Sequence, residues 1–487
     1  MTTPAVRNTL TLRLYCHGLG DCNLIGVPDD KRGTFWILID CGVHTSARGG
    51  SARVKDVVAD ILKITQRLDV IVGTHEHWDH LSGFLQAKDL FDKFSVGEIW
   101  FAWTEDPANP EARRIDKFKG DALAALVDTS LALDNHQQMG AEAQGIDALL
   151  GFVIGLDGER VRDAREGLRA LSPNVRHLSP GMIVPLPAAA SAIKAYVLGP
   201  PLDSTLFHIQ DSASQTYQMS ATLGALTNGL AIQADGLSIK NDPLAPFDED
   251  AGIPPLSKML AGKDADHPKD LAFLSRYYAG PVSGPSFPLG AKISADQSWR
   301  RIDSDWLGSG TDLALQLDSS TNNTSLVLAI EIVATGKVLI FAADAQVGNW
   351  QTWAGVTFPD EASVPPVTGA DLLRRAVFYK VGHHGSRNAT LSENGLELMV
   401  SPDLTAFIPT DEAMAQKVGW SDIPAKKLLA RLAEKTAGRV IKSDDKWVQQ
   451  QSQDLGVKIG GALQSITVQH GSPGPFEGAP YVEIRIG

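Results

Sequence analysis

Within Thr74-His75-Glu76-His77-Trp78-Asp79-His80-Leu81-Ser82-Gly83, three histidines and an aspartate fall inside six residues. Neutral imidazole and carboxylate are the side chains that bind borderline and hard divalent cations. The run follows a short apolar stretch, Leu68 to Val72, so a loop at the end of a buried strand would turn neighbouring residues alternately toward two nearby points. On that reading His75 and His77 hold one cation, and Asp79 and His80 hold a second. The competing explanation is a solvated loop that happens to be rich in histidine. The order of the residues, the strand before them and Gly83 after them weigh against it.

Three more apolar runs end in ligand-type residues. Phe35-Trp36-Ile37-Leu38-Ile39 ends on Asp40, Leu339-Ile340-Phe341-Ala342-Ala343 on Asp344, and Ala376 to Val381 on Gly382-His383-His384-Gly385-Ser386. Together with the cluster, these resemble the His-x-His-x-Asp-His signature and its companion motifs in the metallo-β-lactamase superfamily. The resemblance implies a four-layer αββα fold of the α/β class and two divalent cations, zinc or manganese. It makes Asp40 a support for the metal loop and Asp344 a bridge between the cations. His383 becomes a ligand of the second cation, chosen over His384 because the family's His-x-Gly-Ser/Thr endings use the first position. His384 would then stand behind the ligands.

Shorter runs narrow the likeness. Gly18-x-Gly20-Asp21-x-x-Leu24-Ile25, Val197-Leu198-Gly199-Pro200-Pro201, Asn322-Asn323-x-Ser325-Leu326-Val327-Leu328 and His-His-Gly-Ser occur in this order. They are similar to the hydrolase domain of the DNA-uptake protein ComEC and its soluble relatives, over residues 10–103, 173–201 and 320–445. One feature departs from the wider superfamily, which has a third histidine on the first cation. His136, His177, His208 and His267 occupy that interval, and none is framed by a ligand motif. The ComEC-like branch commonly lacks this ligand, which favours an exchangeable ion such as manganese. His17 and His44 read as ordinary polar residues.

The chemistry implied is hydrolysis, with Asp79 and Asp344 catalytic. Two cations about 3.5–4 Å apart would activate a bridging water to hydroxide and neutralise charge at the attacked centre. Asp21, Asn322, Asn323, Ser386 and Arg387 would stand behind the ligands or contact substrate oxygens. Turn formation by polar residues is the plainer reading of the last four. The ComEC-like runs imply a phosphodiesterase or nuclease with a nucleic-acid or nucleotide substrate. The alternative is a carbonyl hydrolase acting on an ester, thioester, lactone or lactam, because fold and metal motif do not fix substrate. A scaffold that had lost its metals would show gaps among the ligands. A redox di-iron relative would carry Glu in place of His77 and an attached flavin domain.

The elements that must position these residues alternate between strands and helices. At 487 residues the chain calls for two domains or one with large insertions. The family pattern is expected in 1–104, 173–201 and 307–487. A helical insertion (105–172: Gly120–Leu133, Ala141–Ile154, Arg160–Leu171) and an irregular one (202–306) separate its parts, with Pro243 to Pro255 an exposed loop. Leu10 to Tyr15 alternates and reads as an edge or half-buried strand; Phe84 to Phe94 reads as a helix. These insertions are candidates for a lid, a protein partner's docking surface or a homo-oligomer contact.

Bulk properties exclude little else. With 44 basic and 57 acidic residues the net charge is −13, which argues against a generally basic nucleic-acid-binding surface but not against a local basic groove. Cys16, Cys22 and Cys41 lack zinc-ribbon spacing and read as buried thiols. The longest apolar zone, Ser325 to Ala343, is broken by Glu331 and Lys337, so no membrane span is expected. The opening Met-Thr-Thr-Pro leads into a strand, not an apolar leader, and a cytoplasmic protein is expected.

Overall fold

The computed structural model describes residues 9–29, 33–47, 49–134, 146–147, 149–153, 160–209, 309–359, 365–417, 420, 422–444, 459–469 and 479–487. The chain forms two compact units: residues 1–119, 148–217 and 316–487 make the first, and 120–147 with 218–315 the second. In the second unit the described residues, 120–134, 146–147 and 309–315, are helical.

Two large sheets organise the first unit. One comprises β1 (Leu10–Tyr15), β2 (Cys22–Asp29), β3 (Gly33–Cys41), β4 (Arg67–Val72), β5 (Ser95–Ala102) and β6 (Val175–Leu178). The other comprises β7 (Ile183–Val184), β8 (Ile193–Gly199), β9 (Val327–Ile332), β10 (Lys337–Phe341), β13 (Ala376–Lys380), β14 (Thr405–Ile408) and β15 (Val440–Lys442). A two-stranded ribbon, β11 (Thr357–Phe358) with β12 (Val367–Thr368), stands apart from both. The chain ends in β16 (Leu463–Gln469) and β17 (Tyr481–Ile486), which return to the first sheet to give the order β16-β17-β1-β2-β3-β4-β5-β6.

The helices are α1 (Gly50–Ile64), α2 (Trp78–Gln86), α3 (Lys88–Phe91), α4 (Pro110–Asp134), α5 (Val161–Arg169), α6 (Ser309–Asn322), α7 (Gly369–Arg374) and α8 (Lys426–Lys435). Leu12, Ile37 and Val70 of the first sheet meet Leu328, Ile330 and Leu339 of the second in an inter-sheet core. The first sheet's other face, with Leu38, Ile71 and Ile99, is covered by Val54, Val58 and Ile61 of α1, Phe84 of α2 and Leu168 of α5. On the far side of the second sheet, Val338, Ile340 and Tyr379 lie under Leu372 and Leu373 of α7 and Leu432 of α8. Helices α1, α2, α5, α7 and α8 thus hide apolar residues on sheets that are apolar on both faces. The result is the four-layer αββα arrangement of the metallo-β-lactamase fold.

Strand direction decides where the functional residues come out. β3 and β4 are parallel neighbours, and β10, β13 and β14 run parallel in the other sheet. Parallel strands deliver their succeeding loops to a common edge. That edge receives Asp40 from β3, the His75–His80 run from β4, Asp344 from β10 and His383-His384 from β13. Four non-glycine residues there adopt left-handed backbone: Asp40 (φ 58°), Ala343 (φ 49°), His383 (φ 42°) and His384 (φ 54°). Such conformations persist where the surroundings over-determine them.

Several expectations change. Of the two alternatives for β1, the half-buried one holds and the edge one does not, because β17 pairs it on one side and β2 on the other. A partner from the far end of the chain leaves no local trace in sequence. The helix expected from Phe84 starts at Trp78, with His77 as its N-cap residue. Asp79 and His80 thus ride a helical first turn, where the helix dipole suits the Asp79 carboxylate. Helix α6 has no forerunner in the periodicity. Of the helix expected over Ala141–Ile154, residues 141–145, 148 and 154 lie outside the described residues. The irregular insertion from 210 onward, Pro243 to Pro255 included, lies outside them too.

Candidate metal centre

The backbone that carries Asp79 and His80 is pressed against two glycines. The amide of Asp21 donates to the Asp79 carbonyl (3.0 Å), and the amide of Gly42 donates to the Asp21 carbonyl (3.0 Å). A Cβ on Gly42 would lie 2.5 Å from Asp79 C and His80 N, and one on Gly20 would lie 2.3 Å from the Gly42 carbonyl oxygen. Glycine at both places is therefore a requirement of close approach. Asp40 fixes the other side of the loop. Its Oδ1 accepts from the Thr74 amide (2.9 Å), and its Oδ2 accepts from Thr74 Oγ1 (2.7 Å) and faces His80 Nδ1 (2.8 Å). With Nδ1 committed to Asp40, His80 turns Nε2 inward.

Asp344 Oδ2 lies 3.2 Å from His80 Nε2 and 4.0 Å from His384 Nε2. Asp79 Oδ2 lies 3.0 Å from His384 Nε2 and 3.6 Å from His80 Nε2. His75 Nε2 faces His77 Nδ1 at 3.2 Å. Two groups of donor atoms, His75–His80–Asp344 and Asp79–Asp344–His384, each lie within 4.8 Å, and a third, Asp21–Asp40–His80, sits behind them. All these residues are buried.

These donors fit divalent cations. Among the described residues Asp79 Oδ1, His80 Nε2 and Asp344 Oδ2 are buried without a hydrogen-bond partner. Leaving such atoms unpaired is costly, and native interiors avoid it. The charge states agree. Burial opposes ionisation of Asp344 and Asp79, but in both cases His80 leads the groups that hold the carboxyl well below its usual range. Burial pushes His77 down to about 3, and burial with the nearby His80 and His77 rings keeps His75 neutral. Burial also disfavours a charged His80, yet Asp344, Asp79, Asp40 and Asp21 outweigh it and raise the ring well above the ordinary value. Such a field asks for positive charge at that point, and a cation can replace the proton.

The two adjacent histidines part company. His384 is fully buried; its Nδ1 faces the Pro409 carbonyl at 2.6 Å, which leaves Nε2 for Asp79 and Asp344. The His383 ring lies instead with Ser386 Oγ (2.9 Å), Gln346 Nε2 (3.0 Å) and, more loosely, Asn322 Nδ2 (3.5 Å). His383 meets the cluster through its backbone, its amide donating to Asp344 Oδ1 (3.0 Å). So the ring at the cluster is that of His384, where the motif ending had singled out His383. Two successive left-handed residues send consecutive side chains in different directions, which the motif ending does not reveal.

The remaining candidates divide similarly. Asn323 is buried and occupied, donating to the carbonyls of Phe207 (2.9 Å) and Ile209 (3.2 Å) and accepting from the Asn349 amide (3.0 Å). Asn322 donates to Asp318 Oδ2 (3.1 Å). Ser386 bonds His383 and Asn388, while Arg387 is exposed. His177 stacks on Phe101 beside Arg169, and His208 faces Ser320; His136 and His267 lie outside the described residues. His17 faces the Gly42 carbonyl (2.7 Å), and His44 faces Ser46 Oγ (2.9 Å). The three cysteines are buried and free of disulfides.

Two residues enter that the sequence pattern did not single out. Lys380 is buried; its ammonium bonds Asp21 and the Ala343 carbonyl (2.8 Å) and lies 3.4 Å from Asp344 Oδ1. Burial disfavours its charge, but Asp21 and Asp344 more than restore it. A lysine inside the apolar run Val377 to Val381 was the available signal, because a buried ammonium must be paired. Asp318, on α6, places Oδ1 3.8 Å from His77 Nε2. Burial, then the negative charges of Asp79 and Asp344, push its carboxyl up to about 8.

Among the described residues no helix is long and apolar enough to cross a membrane. No curated protein matches the sequence. Residues 18–150 match the model of the Metallo-beta-lactamase superfamily, a stretch that holds Asp21, Asp40 and the run from His75 to His80. This part of the chain is a metallo-beta-lactamase superfamily domain.

Proposed function

We propose that the chain is a metal-dependent phosphodiesterase or nuclease with two divalent cations, zinc or manganese, at the common strand edge. The observation that carries the two-cation reading is Asp344 Oδ2, which belongs to both donor groups and stands between His80 and His384. His75 and His77 would serve one position. Asp79 and His384 would serve the other, with His384 taking the place first given to His383, and His80, grouped with His75 but 3.6 Å from Asp79 Oδ2, would stand between the two. The chemistry such cations supply when bound is Lewis-acid activation of water and neutralisation of charge on the attacked group.

The chain's own residues have distinct tasks. Asp40 and the Pro409 carbonyl hold His80 and His384 by Nδ1, so both rings present Nε2. Lys380 keeps Asp344 ionised and in place. Asp79, with Oδ1 unpartnered, is available to accept a proton or orient a nucleophile. Arg387, exposed and three positions beyond His384 in the chain, would supply a cation for an anionic substrate. The choice of phosphodiester over carbonyl substrate rests on the ComEC-like runs together with Arg387.

The test is hydrolysis of bis(p-nitrophenyl) phosphate and single-stranded DNA, beside an ester and a lactam, with manganese or zinc. Asp79→Ala with His80→Ala serves as the blank. Phosphodiester cleavage that disappears in the blank is the expected result. Turnover of the carbonyl substrates alone would replace this reading with the carbonyl-hydrolase one.

A further inference from the structure

The first cation position, on His75 and His77, has no third histidine. We infer that Asp318 completes it from outside, as the carboxylate that accepts the Nε2–H of His77 and so turns Nδ1 of that ring to the cation. This rests on the two-cation reading above.

The atoms of His77 assign the direction. Its Nδ1 lies 3.2 Å from His75 Nε2. Two ring nitrogens so placed repel through their lone pairs unless a proton or a cation lies between them. Nδ1 is therefore the inward nitrogen. Its Nε2 points the other way, buried, and has no hydrogen-bond partner among the described residues. The Phe152 ring stacks on the imidazole with centroids 5.2 Å apart and offers no acceptor. Asp318 Oδ1 is also without a hydrogen-bond partner, and it stands 3.8 Å from Nε2. Its side chain is 11% exposed, against 1% for His77.

Asp318 is itself steadied. Asn322, one helical turn further along α6, donates to Asp318 Oδ2 at 3.1 Å, the i,i+4 spacing at which helix side chains meet. That leaves Oδ1 toward His77. The gap is just beyond hydrogen-bond range, and the soft terminal torsion of a carboxylate allows it to close. Metal-bound histidines usually give their second N–H to such an acceptor, which fixes the tautomer and raises ligand basicity. A site short of one histidine gains most from a stronger donor in one that remains.

The test titrates metal-stripped wild type, Asp318→Ala and Asp318→Asn with zinc alone, by calorimetry and chelator competition. Asp318→Ala should weaken one class of zinc site about 10–100-fold while keeping its stoichiometry. Asp318→Asn should stay near wild type, because its amide oxygen still accepts from Nε2–H. Unchanged affinity in Asp318→Ala overturns the inference and leaves the two-cation reading standing. So does loss of a full zinc equivalent, which would make Asp318 a direct ligand. Should Asp318→Ala not fold, a weak Asp318→Asn overturns the inference by itself. Histidine-selective 15N spectra of the zinc-loaded wild type should show His77 protonated at Nε2; protonation at Nδ1 refutes the inference whatever the variants do. A wild type that takes up no zinc removes both readings together.

Discussion

Asp40 Oδ2 and His80 Nδ1 stand 2.8 Å apart in a fully buried contact, and Asp40 Oδ1 takes the amide of Thr74. One carboxylate thus sets the ring orientation at the centre of the cluster and the start of the loop that bears it. Asp40 reaches both because it ends β3, whose parallel neighbour β4 feeds that loop.

Asp40→Ala should therefore cost metal affinity and stability together. The affinity loss expected for an outer partner of a ligand is about 10–100-fold. The Thr74 amide, buried and stripped of its acceptor, should cost a further ~1–3 kcal/mol. Zinc competition and urea unfolding read the two effects separately. Full affinity in a destabilised variant would show Asp40 to be a fold residue alone.

His383 and His384 should behave differently despite their adjacency. His384→Ala removes Nε2 from Asp79 and Asp344, so bound metal should fall by a full equivalent in elemental analysis. His383→Ala removes only contacts to Ser386, Gln346 and Asn322, and metal content should be retained. The reverse pattern would restore His383 as the ligand.

Gly42→Ala tests whether backbone approach positions the metal loop. The added Cβ would meet Asp79 C and His80 N at 2.5 Å and His80 C at 2.6 Å. These are main-chain atoms that cannot swing aside, so either β3 or α2 must shift. The expected destabilisation is about 1–3 kcal/mol, the range for overpacking, with zinc affinity reduced as well. Denaturant unfolding and zinc titration check it; a variant indistinguishable from wild type in both would mean the loop is less tightly held.

Much of the centre was legible because its information is local. The His75–His80 run, Asp40 and Asp344 each follow an apolar strand in sequence; parallel pairing of β3 with β4 joins the first two, and Asp344 meets them from the other sheet. Which of the rings of His383 and His384 faces the cluster was not legible, since it depends on two left-handed residues and on a carbonyl, Pro409, that follows β14. Lys380 was half legible: its apolar neighbours announced burial but not its partner Asp21 from the far sheet. Asp318 was not legible at all. It reaches His77 from a helix 241 positions further along the chain, and nothing in its own neighbourhood marks it out.

Asp318 also gives the metal-free protein a pH signature. Its carboxyl is raised from 3.8 to about 8, first by burial and then by Asp79 and Asp344. A raised value means that the folded chain holds the proton more tightly than the unfolded chain. The stabilisation is thus complete below the ordinary value and is lost as pH rises through the folded one. Asp318→Asn imitates the protonated form at every pH. In the presence of a chelator, variant and wild type should be closely matched in unfolding free energy near the acid end. The variant should become the more stable of the two as pH climbs toward 8, a difference that cancels the other titrating groups at the site. A stability difference that stays level across this window, measured by urea unfolding, would show that the Asp318 carboxyl is not raised.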